Sequence, residues 1–145
     1  MIALIQRVTH AKVEVDNITI GSIQAGILLL LGVEKTDIEK NADDLLKKVI
    51  NYRIFADQDD KMNLSLLDTK GELLIVPQFT LSANTQKGTR PSFASAAPPD
   101  VGNALYDYFI ARANEKLNMV ETGKFGADMQ INLTNDGPVT FWLNK

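Results

Sequence analysis

Gly26-Ile27-Leu28-Leu29-Leu30-Leu31-Gly32-Val33 is a continuous apolar run bounded by glycines. It is far shorter than the roughly 20 apolar residues that a membrane span needs. It also lacks the polar alternation of a strand with one wet face, so it reads as a central strand buried on both faces. Neighbouring elements must supply the cover. Upstream, residues 2–8 are apolar and β-branched, and Val13 and Val15 then alternate with Lys12 and Glu14, the period of a half-buried strand. A short third strand, 19–23, is expected to pair back across a turn at Asp16-Asn17. Downstream, Thr36 with Glu39 fits a capping box. Ile38, Ala42, Leu45, Leu46, Val49 and Ile50 then recur at helical spacing, with Lys40, Asp43, Asp44, Lys47 and Lys48 outward. That is a core-packing helix, and it is assigned no chemistry.

Further along, Asp57-Gln58-Asp59-Asp60-Lys61 lacks the glycine and distal glutamate of an EF-hand loop and reads as a solvated turn. Residues 71–81 form another strand, interrupted by Pro77. A proline there removes a ladder donor, which places this end of the strand at an edge or a bulge. Residues 82–100, rich in Ser, Thr, Ala, Gly and Pro, form a long loop of the kind that is usually functional. A second helix is expected over 101–117, with Leu105, Tyr108, Phe109 and Ala113 on its apolar face. Strands near 119–121, 127–134 and 139–143 close the chain. The last two are expected to be joined by a hairpin turn at Asn135-Asp136-Gly137-Pro138, since these residue types dominate turns. The expected architecture is a mixed α/β single domain spanning 1–145, with a largely antiparallel, barrel-like sheet and two main helices.

The chain has 145 residues, 45% hydrophobic and 23% charged, with a net charge of −3. Its acidity argues against bulk electrostatic binding to a duplex but leaves room for a single nucleotide end. No segment has the makings of a signal peptide or a membrane span, so a cytoplasmic location is the default expectation. The absence of cysteine excludes thiolate nucleophiles and cysteine-ligated metals. The single histidine, His10, lies near the first hairpin without a nucleophile elbow, which leaves a Ser-His-Asp triad and a zinc site unsupported. No phosphate-binding glycine loop is present. An enzyme built from this chain works with hydroxyls, amides, backbone groups or the substrate's own groups, with no metal and no cofactor.

That elimination directs attention to Gln78-Phe79-Thr80, where an amide and a hydroxyl follow the expected bulge. Backbone N–H groups freed there could serve as an oxyanion hole. The plainer reading, with Phe79 as core and Thr80 as an ordinary strand residue, stays open from spacing alone. Gly137-Pro138 is the second unusual feature. Proline is the residue before which a cis bond is accessible, and glycine adopts angles closed to others, so the pair could fix two carbonyls in one direction.

Six segments in order closely resemble the D-aminoacyl-tRNA deacylases. They are Gln6-Arg7-Val8, Lys61-Met62-Asn63-Leu64-Ser65, Gln78-Phe79-Thr80-Leu81, Arg90-Pro91-Ser92-Phe93, Phe125-Gly126-Ala127-Asp128-Met129 and Asn135-Asp136-Gly137-Pro138-Val139-Thr140. The resemblance covers essentially the whole chain. It implies a homodimeric hydrolase that cleaves the ester between a D-amino acid, or mischarged glycine, and the 3′-terminal adenosine of tRNA. It further implies that Gly137 and Pro138 form a Gly-cisPro motif entering the partner subunit's active site, where carbonyls screen the α-carbon and reject L-aminoacyl-tRNA. By the same resemblance Gln78, Phe79 and Thr80 line the reaction centre, and Phe125, Ala127 and Met129 shape the pocket. Arg7 helps hold the Gly-Pro loop at the substrate site. Threonine, water and the RNA's terminal 2′-hydroxyl all stand as candidate nucleophiles. One departure is plain: Pro77 stands where the family motif usually begins with serine. A module that binds aminoacyl-tRNA or an RNA end without turnover is the alternative reading.

Overall fold

The computed structural model describes residues 1–86 and 88–145; Lys87, inside the long loop, lies outside the described residues. The chain-order elements are β1 (Ile2–Val15), β2 (Ile18–Ile23), β3 (Gly26–Gly32), α1 (Glu39–Ile50), β4 (Phe55–Ala56), β5 (Met62–Leu64), α2 (Leu66–Thr69), β6 (Glu72–Pro77), a 3-10 turn (Phe79–Ser82), α3 (Pro99–Asn114), β7 (Val120–Thr122) and β8 (Gln130–Asn144). The main sheet runs β2-β1-β3-β6-β7, and β8 lies along β1.

β1 organises the domain because it is long enough to serve three neighbours. Its first half pairs antiparallel with β3, from Ile2 opposite Gly32 to Val8 opposite Gly26. Its second half pairs with β2 across Asp16 and Asn17, whose φ values of 51° and 63° are those of a tight hairpin turn. β8 follows it almost from end to end. β3, β6 and β7 are mutually parallel, so the chain must cross over between them, and α1 and α3 accompany those crossings. The sheet curls until its two ends meet: a Cβ on Gly21 of β2 would lie 2.8 Å from the Thr122 carbonyl of β7. The result is the mixed α/β, barrel-like domain that the patterning predicts.

Two cores follow from this curl. Inside the barrel lie Val8, Ala11, Val13, Ile23, Leu28, Leu74 and Val76. Outside it, α1 and α3 cover the other face through Leu45, Leu46, Val49, Leu105, Phe109 and Ala113 on Ile5, Ile27, Leu29 and Ile75. Successive leucines of β3 thus point into different cores, which is why the strand is apolar on both faces. Each large side chain buried this way contributes roughly 1.5–3 kcal/mol. The Met1 ammonium is buried at the foot of the barrel, 2.6 Å from Asp37 Oδ1 and 2.6 Å from the Lys145 carbonyl.

Several expectations are corrected. The α1 cap is not Thr36 with Glu39; Asn41 Oδ1 instead accepts from the Ile38 N–H at 3.0 Å. Ile38 precedes the helix and is 61% exposed, so it is not part of the apolar stripe. α2, too short for periodicity to reveal, is closed by Ser65 and Asp68. On α3 the fully packed tyrosine is Tyr106, while Tyr108 is half-buried with its hydroxyl on Asp43 Oδ2 at 3.0 Å. Residues 71–81 are not one strand, because β6 stops at Pro77 and the chain enters the 3-10 turn. The Asn135–Pro138 segment is not a hairpin turn either. β8 runs through it as one strand, with both halves antiparallel to β1.

Candidate active site

The strand β6 ends where its cover ends. β7 pairs with it only as far as Ile75 opposite Thr122, while β3 continues to Leu31 opposite Pro77. Pro77 therefore faces no strand on the β7 side, a place where a missing N–H costs no ladder bond. The Gln78 N–H still bonds the Leu31 carbonyl at 2.8 Å, so it is not one of the free donors. The chain then folds into the 3-10 turn, with Leu81 N–H on the Gln78 carbonyl and Ala83 N–H on the Thr80 carbonyl. Phe79 and Thr80 supply the first amides of that turn, which have no acceptor within it. Gln78 Nε2 donates to Thr80 Oγ1 at 2.6 Å.

Beside this strand end lies a cavity of about 510 Å³. Val76, Pro77, Gln78 and Phe79 form one side, Ala96, Ala97 and Pro99 a second, and Phe125, Gly126, Ala127, Met129 and Ile131 a third. The third wall is a tight turn: Ala127 N–H bonds the Lys124 carbonyl at 3.2 Å, and Met129 Sδ accepts from the Lys124 N–H at 3.3 Å. Gly123 lets this turn sit directly on the strand end, since a Cβ there would lie 2.9 Å from Met129 Sδ and 3.2 Å from Pro77 Cδ. The second wall is tied to the chain just beyond β3 by Ala97 N–H on the Val33 carbonyl at 3.0 Å.

Among the described residues no charged side chain lines the cavity, and Gln78 is its one polar side chain. It can hold an apolar body and offer amide donors; it holds no side-chain general base. Thr80 stands at the rim rather than in the lining, exposed, with a donor on its oxygen. His10 is on the surface of β1, its ring within 3.2 Å of Thr9 Oγ1 and 3.4 Å of Thr134 Oγ1.

Of the residues singled out in the sequence, Gln78, Phe79, Phe125, Ala127 and Met129 are brought together in this cavity. Gly137, Pro138 and Arg7 are not among its lining. The Gly137-Pro138 peptide is cis, with Gly137 at φ 146°. Asp136, Gly137 and Pro138 are exposed on a bulge of β8 whose base is closed by Asn135, which accepts from the Val139 N–H at 2.7 Å and donates to Thr140 Oγ1 at 2.9 Å. Arg7 holds that bulge, its Nε donating to the Asp136 carbonyl at 2.9 Å while its guanidinium also reaches the Ile54 carbonyl at 2.7 Å.

Sequence reasoning missed three parts of the site. Ala96, Ala97 and Pro99 carry no chemical signal of their own. Asn135 reads in the sequence as a turn residue and as the start of the sixth family segment, with no sign of its clamping role. Tyr106 shares a helical face with Phe109 and Ala113, a spacing that points to it. Its ring packs on Phe125 with centroids 6.0 Å apart, and its hydroxyl lies 2.9 Å from the Ile75 carbonyl and 3.1 Å from that of Gly123. Burial raises its pKa well above the ordinary tyrosine range, so it stays neutral and serves as a donor.

Residues 4–144 match the family model described as D-Tyr-tRNA(Tyr) deacylase. A D-aminoacyl-tRNA deacylase of Haemophilus influenzae (strain PittGG) is 64% identical over 144 residues, 99% of each chain. One from Pseudoalteromonas translucida (strain TAC 125) is 63% identical over 143 residues, again 99% of each. Among solved structures, one titled "c-Myc DNA Unwinding Element Binding Protein" superposes with a TM-score of 0.96 at 37% identity, over 100% of this chain and 99% of that one. A probable eukaryotic D-amino acid tRNA deacylase shares the fold at TM-score 0.85 and 18% identity, over 99% of this chain and 98% of that one. Identity of this order over the full length, with the six motifs in place, means that the chain belongs to the D-aminoacyl-tRNA deacylase family, a family of ester hydrolases.

Proposed function

We propose that this protein hydrolyses the ester joining a D-amino acid to the 3′-terminal adenosine of tRNA. The observation that carries this reading is the cavity: apolar, about 510 Å³, bordered by Gln78 and the amides that open the 3-10 turn, and without an acid–base side chain among the described residues. That is little equipment for a stable bond. It is enough for an aminoacyl ester, which is already activated and needs mainly positioning and a place for the developing oxyanion. The Phe79 and Thr80 N–H groups are the donors for that oxyanion.

The attacking oxygen comes from water or from the adenosine's own 2′-hydroxyl. Thr80 is a poor candidate because its oxygen accepts from Gln78 and no base stands beside it. In the reaction the acyl carbon–oxygen bond breaks, the 3′-oxygen takes a proton, and the amino acid leaves as a carboxylate. Attack by the 2′-hydroxyl passes through a 2′-acyl ester that water then cleaves.

Chirality is imposed by exclusion. In a homodimer the exposed Gly137-Pro138 bulge of one copy enters the cavity of the other and presents its carbonyls to the α-carbon. An L side chain is driven into those carbonyls, whereas a D side chain points away. Glycine has no side chain to exclude, so glycyl-tRNA is also a substrate. The reaction belongs in the cytoplasm, where tRNA is charged.

The test uses D- and L-tyrosyl-tRNA with the enzyme far below substrate concentration. Multiple turnovers of the D-ester with the L-ester spared are expected. Equal cleavage of both would sink the exclusion reading, and tight binding of the D-ester without turnover would select the alternative of a binding module, with Pro77 marking lost catalysis. Thr80→Ala retains at least half the wild-type rate, while replacing the terminal 2′-hydroxyl by hydrogen separates water from RNA attack.

A further inference from the structure

A second cleft lies along the same loop that walls the cavity. Asn84 and Ser92 exchange backbone hydrogen bonds, Asn84 N–H to Ser92 O at 2.8 Å and Ser92 N–H to Asn84 O at 3.1 Å, which holds these two residues side by side. The cleft has a volume of about 370 Å³ and is lined by Asn84, Gln86, Arg90 and Ser92. Each of these offers a donor. Asn84 Oδ1 is taken by the Gln86 N–H at 3.0 Å, which leaves its amide nitrogen to face outward chemistry. Ser92 Oγ accepts from the Ala94 N–H at 3.5 Å and keeps its proton to give.

No carboxylate lines this cleft, and Arg90 forms no ion pair among the described residues. That sets it apart from Arg7, paired with Asp136, and Arg112, paired with Asp43 and Glu115. An arginine fork with three neutral donors and no acid matches a phosphodiester. The cleft is also close to the chemistry. Asn84 is five residues from Phe79 of the cavity wall, at most about 18 Å even in a fully extended chain. Between them, Phe79 and Phe93 are 58% and 40% exposed with ring centroids 5.1 Å apart, an aromatic surface on which bases can lie.

We propose that Asn84, Gln86, Arg90 and Ser92 form a phosphate subsite for the single-stranded RNA immediately 5′ of the terminal adenosine, with Arg90 as its cation. It rests on the deacylase reading, and it explains how a chain of net charge −3 holds an RNA end: local donors replace a basic face. The strand leaves the cavity, passes the Phe79–Phe93 surface and meets Arg90 one or two nucleotides on.

The experiment compares two esters of one D-amino acid, one on adenosine alone and one on the trinucleotide cytidylyl-cytidylyl-adenosine. The ratio of kcat/KM for the trinucleotide to that for adenosine falls about ten-fold in Arg90→Ala, the loss of one charge-assisted contact, with the change in KM. Arg90→Lys recovers part of it, because the charge returns without the fork. In parallel, a 5′-labelled trinucleotide carrying a non-hydrolysable amide in place of the ester is titrated by fluorescence anisotropy. Its log–log salt dependence loses about 0.7 in slope in Arg90→Ala, the value for one phosphate on a single strand. An unchanged ratio together with an unchanged slope overturns the subsite. If wild-type protein cleaves neither ester, the deacylase reading falls instead, and the anisotropy slope alone decides the subsite. Arg90 makes no side-chain hydrogen bond among the described residues, so an unaltered melting temperature separates these outcomes from misfolding.

Discussion

Tyr106→Phe isolates the contact that joins the cavity's turn to the strand beneath it. The substitution keeps the ring against Phe125 and removes only the hydroxyl, which sits 2.9 Å from the Ile75 carbonyl and 3.1 Å from the Gly123 carbonyl. The Ile75 oxygen already accepts from the Gly123 N–H at 2.8 Å and stays satisfied. The Gly123 oxygen loses its phenolic donor. The expected cost is therefore that of one net hydrogen bond and a partly exposed carbonyl, about 1–2 kcal/mol. For a domain of this size each kcal/mol lowers the melting temperature by roughly 3–5 °C. A fall of about 5 °C by differential scanning calorimetry is expected. Tyr106→Leu should lose several more degrees, because it also vacates the space against Phe125. In steady-state deacylation of D-tyrosyl-tRNA, the loosened turn at 123–129 raises KM by about three-fold while kcat stays within two-fold, since no reacting atom touches Tyr106. A phenylalanine variant as stable as wild type, or one indistinguishable from the leucine variant, refutes this account of the hydroxyl.

Three other perturbations test other joints of the molecule. Arg7→Ala removes the hold on the Asp136 and Ile54 carbonyls; it should cost about 2 kcal/mol and narrow the D-over-L preference measured with paired tyrosyl-tRNA esters, and Arg7→Lys should not restore it, because an ammonium cannot span both acceptors. Asp37→Asn leaves the Met1 ammonium buried without its nearest counter-charge, and since Glu34 remains 3.6 Å away, the loss in a urea melt should lie near 3 kcal/mol, the low end for a broken buried pair. Asp43 is held below its ordinary value of 3.8 first by its hydrogen bond from Arg112. Its stabilisation is thus present in full above that ordinary value and is lost as pH falls through the lower folded value; acid melts of wild type and Asp43→Asn should converge below pH 3.8, with a small difference above it because the pair is largely solvent-screened.

The sequence made the packing legible and the path of the chain less so. The run from Gly26 to Val33 identified the central strand because burial on two faces leaves a compositional mark. The stripe of Ala42, Leu45, Leu46, Val49 and Ile50 did the same for α1. Termini were harder. Thr36 with Glu39 has the letters of a capping box, yet Asp37 is committed to the Met1 ammonium and to the Glu34 N–H at 2.7 Å, so the helix begins later and is capped by Asn41. A long-range ion pair outweighed a local motif. Pro77 marked a strand end correctly in kind, but only the short reach of β7 decides that the chain should turn there. The cavity's second wall, Ala96 to Pro99, was invisible because small residues line a pocket by position and not by chemistry.

The misreading of Gly137-Pro138 as a hairpin turn has the most to teach. Turn-forming residues report that the backbone leaves the strand path; they do not report whether it comes back reversed. That is settled by the partner strand. Gln6 of β1 opposes Thr140, and Val8 opposes Asn135, so two steps on β1 match five on β8 and the surplus must be expelled from the sheet. Val139 returns to the core at 6% exposure, while Asp136, Gly137 and Pro138 stay outside. Arg7 is the residue between Gln6 and Val8, and where the ladder is broken its side chain, rather than its backbone, bonds the Asp136 carbonyl. A hairpin tip would move with its own two strands. This bulge is instead clamped on both sides to one strand that is itself held by β3, so its carbonyls are aimed by the rigid centre of the domain. Neither Gly137 nor Pro138 lines the cavity of its own chain, so the gate proposed above requires a second copy to act on.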